Sequence, residues 1–182
     1  MTLTVVPLLA RADLRRAAHA LYKEAFPRYE RVPWWLVCAL ACSRMGACSL
    51  YLDGDTLCGM TLSAVTDGLL LLNFFAVPAA LRGKGYGTAV LARLRADHPD
   101  KTVALNIEPL DPTAPNTAQR ERRLAFYRHN GFFDTGWTVY EVGGAFTVLA
   151  DTPDLPVGPY KRVFRRLFFG LWDVKLIRRE EK

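Results

Sequence analysis

The sequence predicts an α/β protein with a mixed central sheet of about seven strands, flanked by helices and followed by a C-terminal amphipathic helical extension. Strand-like and helix-like stretches alternate in the second half of the chain, which implies right-handed crossovers onto a mixed sheet. The apolar run Leu69 to Val77 is typical of a central strand covered on both faces. A length of 182 residues is enough for one domain with a full core, which we assign to residues 1–150.

The first half of the chain is predicted to contain two helices and four strands. Asp13 is placed to cap the first helix, which Pro27 stops, and Pro33 opens the second. Asp53-Gly54-Asp55 and Asp67-Gly68 are typical of tight turns between strands. The predicted helices are Leu14 to about Phe26 and Trp34 to about Ser43, and the predicted strands are Thr2–Val6, Ala47–Leu52, Thr56–Val65 and Leu69–Val77.

The second half is predicted to alternate between helices and strands. The loop Pro109 to Pro115 is too rich in proline to continue a strand. Gly131 is placed to end the preceding helix by adopting the left-handed backbone conformation. The predicted elements are the helix Gly85 to about Ala96, the strand Thr102–Ile107, the helix Thr117–Asn130 and the closing strands Thr135–Val142 and Ala145–Ala150.

Composition excludes several classes of protein. The chain is too hydrophobic to be disordered, and it has no apolar run of the ~18 residues that a membrane span needs. The four cysteines, at positions 38, 42, 48 and 58, lack the spacing and the nearby histidines of a zinc site, so we expect buried reduced thiols and no metal. Because the apolar start of the chain is not preceded by basic residues, we expect no signal peptide and a cytoplasmic protein.

Most of the net charge of +6 lies after Leu155, within the extension that we assign to residues 151–182. Eight basic and three acidic residues follow Leu155, so the rest of the chain offers no broad basic face for nucleic acid. Apolar residues recur here at helical spacing opposite a basic face. The apolar set is Tyr160, Val163, Phe164, Leu167, Phe168 and Leu171, and the basic set is Lys161, Arg162, Arg165 and Arg166. Three interpretations remain open: packing on the chain's own core, packing on a second copy as a homodimer, or lying on an anionic membrane surface.

The most informative segment is an apolar strand that runs into a glycine-rich turn. The strand ends in Leu72-Asn73-Phe74-Phe75-Ala76-Val77-Pro78, and the turn is Arg82-Gly83-Lys84-Gly85-Tyr86-Gly87-Thr88. Glycines let backbone N–H groups converge on one point, and a helix N-terminus adds unpaired donors and the positive end of its dipole. The segment therefore predicts a phosphate-shaped anion site, to which Arg82 and Lys84 add charge. Thr88 excludes both a P-loop, which needs Lys after its last glycine, and the dinucleotide fingerprint, which needs a third glycine there.

This turn resembles the coenzyme loop of the GNAT superfamily of acyl-CoA N-acyltransferases, Arg/Gln-x-x-Gly-x-Gly/Ala, which here reads Arg82-Gly83-Lys84-Gly85-Tyr86-Gly87. A second signature of the superfamily, Tyr-x-x-x-Gly-Phe, appears as Tyr127-Arg128-His129-Asn130-Gly131-Phe132. The two motifs occur in the right order, separated by a strand and a helix, and the resemblance covers about residues 1–150. It implies a splayed central sheet and acetyl-CoA as the co-substrate.

The resemblance also implies which residues meet the coenzyme. Backbone groups of Phe75, Ala76 and Val77 would pair with the pantetheine arm and polarise the thioester carbonyl. The diphosphate would be held by Arg82, Gly83, Lys84, Gly85, Tyr86, Gly87 and Thr88. Arg120 stands where the superfamily often has Asn, and it is a candidate for a phosphate contact instead.

Transfer to an amine needs a proton acceptor and a proton donor. An alkyl ammonium, with a pKa near ~10.4, must lose a proton before it can attack. Glu108, at the end of a strand, is the first candidate base and Glu30 the second, each acting directly or through water. Tyr127 is the expected donor to the leaving thiolate. Asn73, which is polar within an apolar strand, would bond either the acceptor or a neighbouring backbone group.

By resemblance, the region between the first two helices shapes the acceptor site. Tyr29, Trp34 and Trp35 would line an amine pocket there, and Glu30 would bind the ammonium group. We therefore predict a metal-free N-acetyltransferase that uses acetyl-CoA and a primary amine of a small molecule or peptide. Two alternatives remain open: a non-catalytic CoA-binding or sensor module on the same fold, and a transferase for a longer acyl-CoA or a hydroxyl acceptor.

Overall fold

The computed structural model describes residues 1–28, 30–43, 46–141, 144–167 and 174–179. The helices are α1 (Ala12–Ala25), α2 (Trp34–Cys42), α3 (Tyr86–Asp97), α4 (Thr117–His129) and α5 (Val157–Leu167), with a 3₁₀ turn at Ala79–Leu81. The strands are β1 (Thr4–Pro7), β2 (Gly46–Asp53), β3 (Thr56–Thr66), β4 (Leu69–Ala76), β5 (Thr102–Ile107), β6 (Phe133–Glu141), β7 (Gly144–Ala150) and β8 (Lys175–Arg178). The chain divides into two compact units, the first made of Met1–Val65 and Leu72–Pro99 and the second of Thr66–Leu71 and Asp100–Lys182.

In the first unit the strand order is β1-β2-β3-β4, and both β1 and β3 run antiparallel to β2. Leu14, Ala18 and Leu21 recur at the helical period on α1, and all three are buried. They pack with Val37 of α2, and the same apolar cluster includes Ala76 at the end of β4. The core therefore supports the point where β4 leaves the sheet and leads toward α3.

Gly59 of β3 lies where any side chain would collide with α3. A Cβ built there would stand 2.9 Å from Cγ2 of Val90 and 3.4 Å from the carbonyl oxygen of Ala76. Val90 is fully buried and β-branched, so it cannot rotate away cheaply. We expect Gly59→Ala to lower the free energy of unfolding, measured by urea denaturation, by about 1–3 kcal/mol. In the double variant with Val90→Ala the loss should be smaller than the sum of the single losses, and simple additivity would contradict this contact.

In the second unit, β7 lies between β5 and β6, and β8 pairs with the far side of β6. Each of these pairs is antiparallel. Helix α5 buries Tyr160, Val163 and Phe164, and the Tyr160 hydroxyl donates a hydrogen bond to Oδ1 of Asn106 on β5 at 2.8 Å. The described part of this apolar face, Tyr160, Val163 and Phe164, is thus buried, and Tyr160 contacts β5 of the same unit.

The fold class is confirmed, and most element bounds lie within two residues of those predicted. The described part of the chain holds eight strands rather than about seven, because β8 follows α5 in a segment expected to be helical. Helix α5 is confirmed as far as Leu167, whereas Phe168 and Leu171 lie outside the described residues. The division into a domain at 1–150 and an extension at 151–182 stays a prediction.

The capping role predicted for Asp13 is wrong. The N-cap of α1 is Arg11, and no side chain caps this helix end. Asp13 lies in the first turn, where its carboxylate forms an ion pair with Arg11 at 2.7 Å. The carboxylate still lies at the end of the helix where its charge suits the dipole.

None of the helices in the described part of the chain combines the length and the apolar character that a membrane crossing demands.

Candidate functional site

The N-terminus of α3 is opened by two left-handed glycines in the first unit. Gly85 is the N-cap residue, with φ 83° and ψ −5°, and Gly83 has φ 73°. A residue with a Cβ would be strained at either position, which is why the loop needs glycine there. No side chain caps this helix end. The N–H groups of its first turn are therefore left to solvent or to a ligand.

The space beside the two glycines is open. A Cβ built at Gly83 or at Gly85 would meet no atom of the described residues within 4 Å, so a ligand could approach the backbone there. Arg82 and Lys84 are exposed on the same loop. The Nε of Arg82 donates to the carbonyl oxygen of Val77 at 3.2 Å, which ties the loop to the residue after β4.

Tyr86 contributes to this helix end through its backbone, because its side chain is engaged elsewhere. Its hydroxyl donates to Oδ2 of Asp53, at the turn between β2 and β3, at 2.8 Å. That hydrogen bond raises the pKa of Tyr86 to about 12. Gly87 and Thr88 follow within the first turn of α3, so their N–H groups also lack an acceptor within the helix.

The end of β4 presents both buried and accessible groups. Phe75 is half-buried against a small cluster of Leu3, Tyr51 and Val90, and Ala76 is buried in the main core of this unit. Asn73 is exposed. The strand ends at Ala76, so Val77 lies just beyond it. Phe75, Ala76 and Val77 thus lie at the end of β4, ahead of the glycine loop in the chain. Their predicted contacts with a coenzyme stay predictions.

Trp34 belongs to an aromatic cluster of α1 and α2. Its ring stacks on His19 with 4.5 Å between the centroids, and it lies 5.5 Å from the ring of Tyr22. The Tyr22 hydroxyl donates to the carbonyl oxygen of Val32 and accepts from its N–H, which fixes the chain just before α2. Burial lowers the pKa of His19, and nearby cations lower it further.

The other residues predicted near the acceptor are more exposed or fall outside the description. Glu30 is exposed, and its N–H donates to the carbonyl oxygen of Pro27 at 3.1 Å. Trp35 is 70% exposed. Tyr29 lies outside the described residues.

Tyr127 is buried on α4 in the second unit. Its ring packs edge-on against Phe126 and Phe132, and its carbonyl oxygen accepts from the N–H of Phe132 at 3.0 Å. Gly131 adopts φ 75°, as the predicted helix stop requires. Burial raises the pKa of Tyr127 to about 12. The raised pKa keeps the hydroxyl protonated, and none of the described residues forms a hydrogen bond with it.

Glu108 is held by a cluster of side chains from the start of α4. One carboxylate oxygen accepts from Arg120 at 2.8 Å and the other from Arg123 at 3.3 Å. Asn116 also donates to both oxygens, at 3.4 and 3.3 Å. Arg120 further donates to Asn116 Oδ1 and to the carbonyl oxygen of Pro109, each at 2.8 Å. The cluster closes the proline-rich loop onto α4 and occupies the guanidinium that was a candidate for phosphate.

Removing this cluster should loosen α4. We expect Glu108→Ala to lower the free energy of unfolding by about 1–2 kcal/mol, because two charge-assisted hydrogen bonds to a half-buried carboxylate disappear. Glu121→Ala, an exposed glutamate on the same helix, is the matched control and should have little effect. Equal unfolding midpoints for both variants in urea would contradict the role of the cluster.

One group that sequence reasoning missed is a carboxylate at the end of β6. Glu141 accepts a hydrogen bond from Nδ2 of Asn106, and burial raises its pKa. The only sequence signal was a carboxylate that ends a strand just before paired glycines. Among the described residues, no group of three or more His, Cys, Asp or Glu side chains could hold a metal ion, at Glu141 or elsewhere.

Comparison with known proteins identifies the fold. No protein-family model matches the sequence, and no curated protein matches it. Among solved structures, a protein of Bacteroides thetaiotaomicron assigned to the GNAT family of acetyltransferases aligns with a TM-score of 0.70 at 19% identity, covering 93% of this chain and 99% of its own. The ribosomal-protein-S18-alanine N-acetyltransferase of Escherichia coli gives 0.60 at 17% identity, covering 85% and 96%. An aminoglycoside 6'-N-acetyltransferase complexed with coenzyme A gives 0.65 at 16%, covering 84% and 99%. The chain therefore has the fold of the GNAT acetyltransferases.

Proposed function

We propose that the protein is an acyl-CoA N-acyltransferase that moves an acetyl group from acetyl-CoA to a primary amine of a small molecule or peptide. The observation that carries this proposal is the start of α3, where two left-handed glycines open an uncapped helix end beside empty space. The likeness to acetyltransferases of the same fold, one of them complexed with coenzyme A, supports it.

The residues at this helix end fit a diphosphate. The N–H groups of Tyr86, Gly87 and Thr88 point along the positive end of the helix dipole, and an anion there satisfies donors that the helix itself cannot. Gly83 and Gly85 let the anion approach the backbone, and Arg82 and Lys84 add positive charge. In this proposal, the backbone of Phe75, Ala76 and Val77 binds the pantetheine arm.

The chemistry of the proposed reaction assigns Tyr127 a donor role. Bound acetyl-CoA would supply an acyl group activated as a thioester. A thiol has a pKa near ~8.5, so the departing thiolate is stabilised by a hydrogen-bond donor. Burial raises the pKa of Tyr127 to about 12, so its hydroxyl stays protonated and can donate a hydrogen bond throughout the neutral pH range.

The attacking amine must be neutral, and its proton needs an acceptor. Glu108 and Glu30 are the candidate bases, and water is the third. The oxygens of Glu108 already accept from two guanidinium groups, which favours a supporting role for this carboxylate over direct proton transfer. The names of two structures of similar fold give a ribosomal-protein alanine and an aminoglycoside as acceptors, which supports a nitrogen acceptor.

Binding and turnover test the proposal separately. Calorimetry with the purified full chain should detect binding of acetyl-CoA and of free CoA. A thiol-release assay with acetyl-CoA and a panel of amines should then show turnover above background hydrolysis, and EDTA should leave it unchanged. Absence of any heat of binding would overturn the proposal at its first step.

A second candidate is a non-catalytic CoA-binding module. The hydrogen bonds that both oxygens of Glu108 already accept favour it, because a carboxylate paired with two guanidinium groups is a weaker proton acceptor. Tight CoA binding without thiol release for any amine in the panel would support this second candidate over the first.

A further inference from the structure

Glu141 is a partly buried carboxylate whose charge no side chain of the described residues balances. Nδ2 of Asn106 donates to its Oε1, and no other partner of either carboxylate oxygen is found among the described residues. Neither Lys nor Arg pairs with it in the described ranges, although other acidic residues of the second unit, Glu108 and Asp134, each pair with arginine. A buried carboxylate that lacks a counter-charge lowers stability unless a cation or a proton reaches it.

Two hydrogen bonds fix the orientation of Asn106 beside Glu141. The Tyr160 hydroxyl of α5 donates to Oδ1 of Asn106, so the amide can only turn its NH₂ group toward Glu141. This chain of hydrogen bonds, from Tyr160 through Asn106 to Glu141, places donors and no cation around one oxygen. It stabilises the carboxylate form without neutralising its charge.

The residue opposite Glu141 in the hairpin has no side chain. Glu141 pairs across the hairpin with Gly144, and a Cβ built at Gly144 would meet no atom within 4 Å. On the neighbouring strand, Lys175 lies over the ring of Tyr140 at 5.3 Å from its centroid and is thus engaged by another residue. Within the described ranges, the groups that face the carboxylate are therefore Asn106 of β5 and, behind it, Tyr160 of α5.

We propose that Glu141 is a binding site for a primary ammonium group. An ammonium needs one acceptor only, whereas a guanidinium binds best when its fork meets both oxygens, one of which already accepts from Asn106. A divalent metal would need several more oxygen ligands than this single carboxylate supplies. The assignment of this ammonium to the acceptor amine rests on the proposed function. If that function holds, Glu141 selects cationic amines.

The sign of the pH effect follows from the direction of the shift. Burial raises the folded-state pKa of Glu141 above its unfolded value, so its ionisation removes stability as the pH rises through the folded pKa. Glu141→Gln keeps an acceptor for Asn106 and removes the charge. We expect the variant to melt higher than the wild type by at least about 2 °C near pH 8, and to melt at the same temperature near pH 4. Glu121→Gln, exposed on α4, is the matched control and should show no such difference.

Ligand binding is tested on the full chain with ¹³C-labelled glutamate, the Glu141 carboxyl signal being assigned by its loss in Glu141→Gln. Titration with n-propylammonium chloride should shift this signal, whereas n-propanol or potassium chloride at equal ionic strength should not, and n-propylguanidinium should shift it less. The same ammonium should raise the melting temperature of the wild type more than that of Glu141→Gln.

Two outcomes overturn the inference: a Glu141 carboxyl that is protonated near pH 8, or an equal response to the ammonium and to potassium. Neither readout depends on acetyl-CoA. Failure to bind CoA would therefore contradict the proposed function, while these two readouts would still test the ammonium site. If turnover is found, a rise in the amine KM of Glu141→Gln with unchanged CoA affinity assigns the site to the acceptor, and an unchanged KM contradicts that assignment.

Discussion

Replacing Gly85 by leucine is expected to weaken CoA binding at least ~100-fold, or by about 2.7 kcal/mol, while the protein stays folded. A Cβ at this position would enter the open space beside the start of α3 without touching protein within 4 Å. The side chain therefore excludes the diphosphate rather than disturbing the core. Because φ is 83°, a cost of about 1–3 kcal/mol in the free energy of unfolding is expected in addition.

Gly136→Leu separates the two effects of this substitution. Gly136 of β6 has φ 74°, and a Cβ there also meets nothing within 4 Å, so the backbone strain is matched. Both variants should lose similar stability in urea, and only the Gly85 variant should lose CoA affinity in calorimetry. Unchanged affinity in a folded Gly85→Leu protein would remove the helix end from the proposed binding site.

Replacing Tyr127 by phenylalanine is expected to lower kcat at least ~100-fold and to leave CoA affinity unchanged. No described residue bonds the Tyr127 hydroxyl, so its removal should change the free energy of unfolding by less than about 0.5 kcal/mol. A large loss of rate without a loss of stability is what a group that contacts the reacting atoms would produce. Tyr140→Phe, which keeps the ring beneath Lys175, is the matched control.

The pH dependence gives an independent check on Tyr127. Its pKa is raised by burial to about 12, above the ordinary value of 10.0, so the donor stays protonated well beyond the neutral range. Activity should therefore show no alkaline loss from this group near pH 10, where an ordinary tyrosine is half ionised. The stability that goes with the neutral phenol is complete below the unfolded pKa and is lost as the pH rises through the folded one. An alkaline fall in rate near pH 10 that disappears in Tyr127→Phe would contradict the raised pKa.

Elements with a strong local pattern could be predicted from the sequence, and those defined by distant pairing could not. The bounds of β5 agree residue for residue, because Thr102–Ile107 is an apolar run between turn residues. Strand β8 has only four residues, Lys175–Arg178, two of them basic, and becomes a strand because it pairs with β6. Asp13 carried a capping signal, but Arg11, two residues earlier, competes for its carboxylate.

The candidate site divides in the same way. The glycine loop was readable because φ above zero, confirmed at Gly83 and Gly85, leaves a direct mark in the sequence. The two arginine partners of Glu108 lie 12 and 15 residues farther along the chain, and only the folded loop brings them to the carboxylate. Glu141 accepts a hydrogen bond from Asn106, 35 residues away, so no local pattern could distinguish it from a solvated glutamate.

The pairing of β8 with β6 has a practical consequence for anyone who shortens or extends this chain. Trp137, Thr138, Val139 and Tyr140 each have a register partner in β8. A deletion that begins before Lys175 would turn β6 into the outermost strand, with unpaired N–H and C=O groups beside the exposed ring of Tyr140. Such an edge is a template for strand addition between molecules. C-terminal truncations that remove β8 are therefore expected to aggregate more readily than the chain that keeps it.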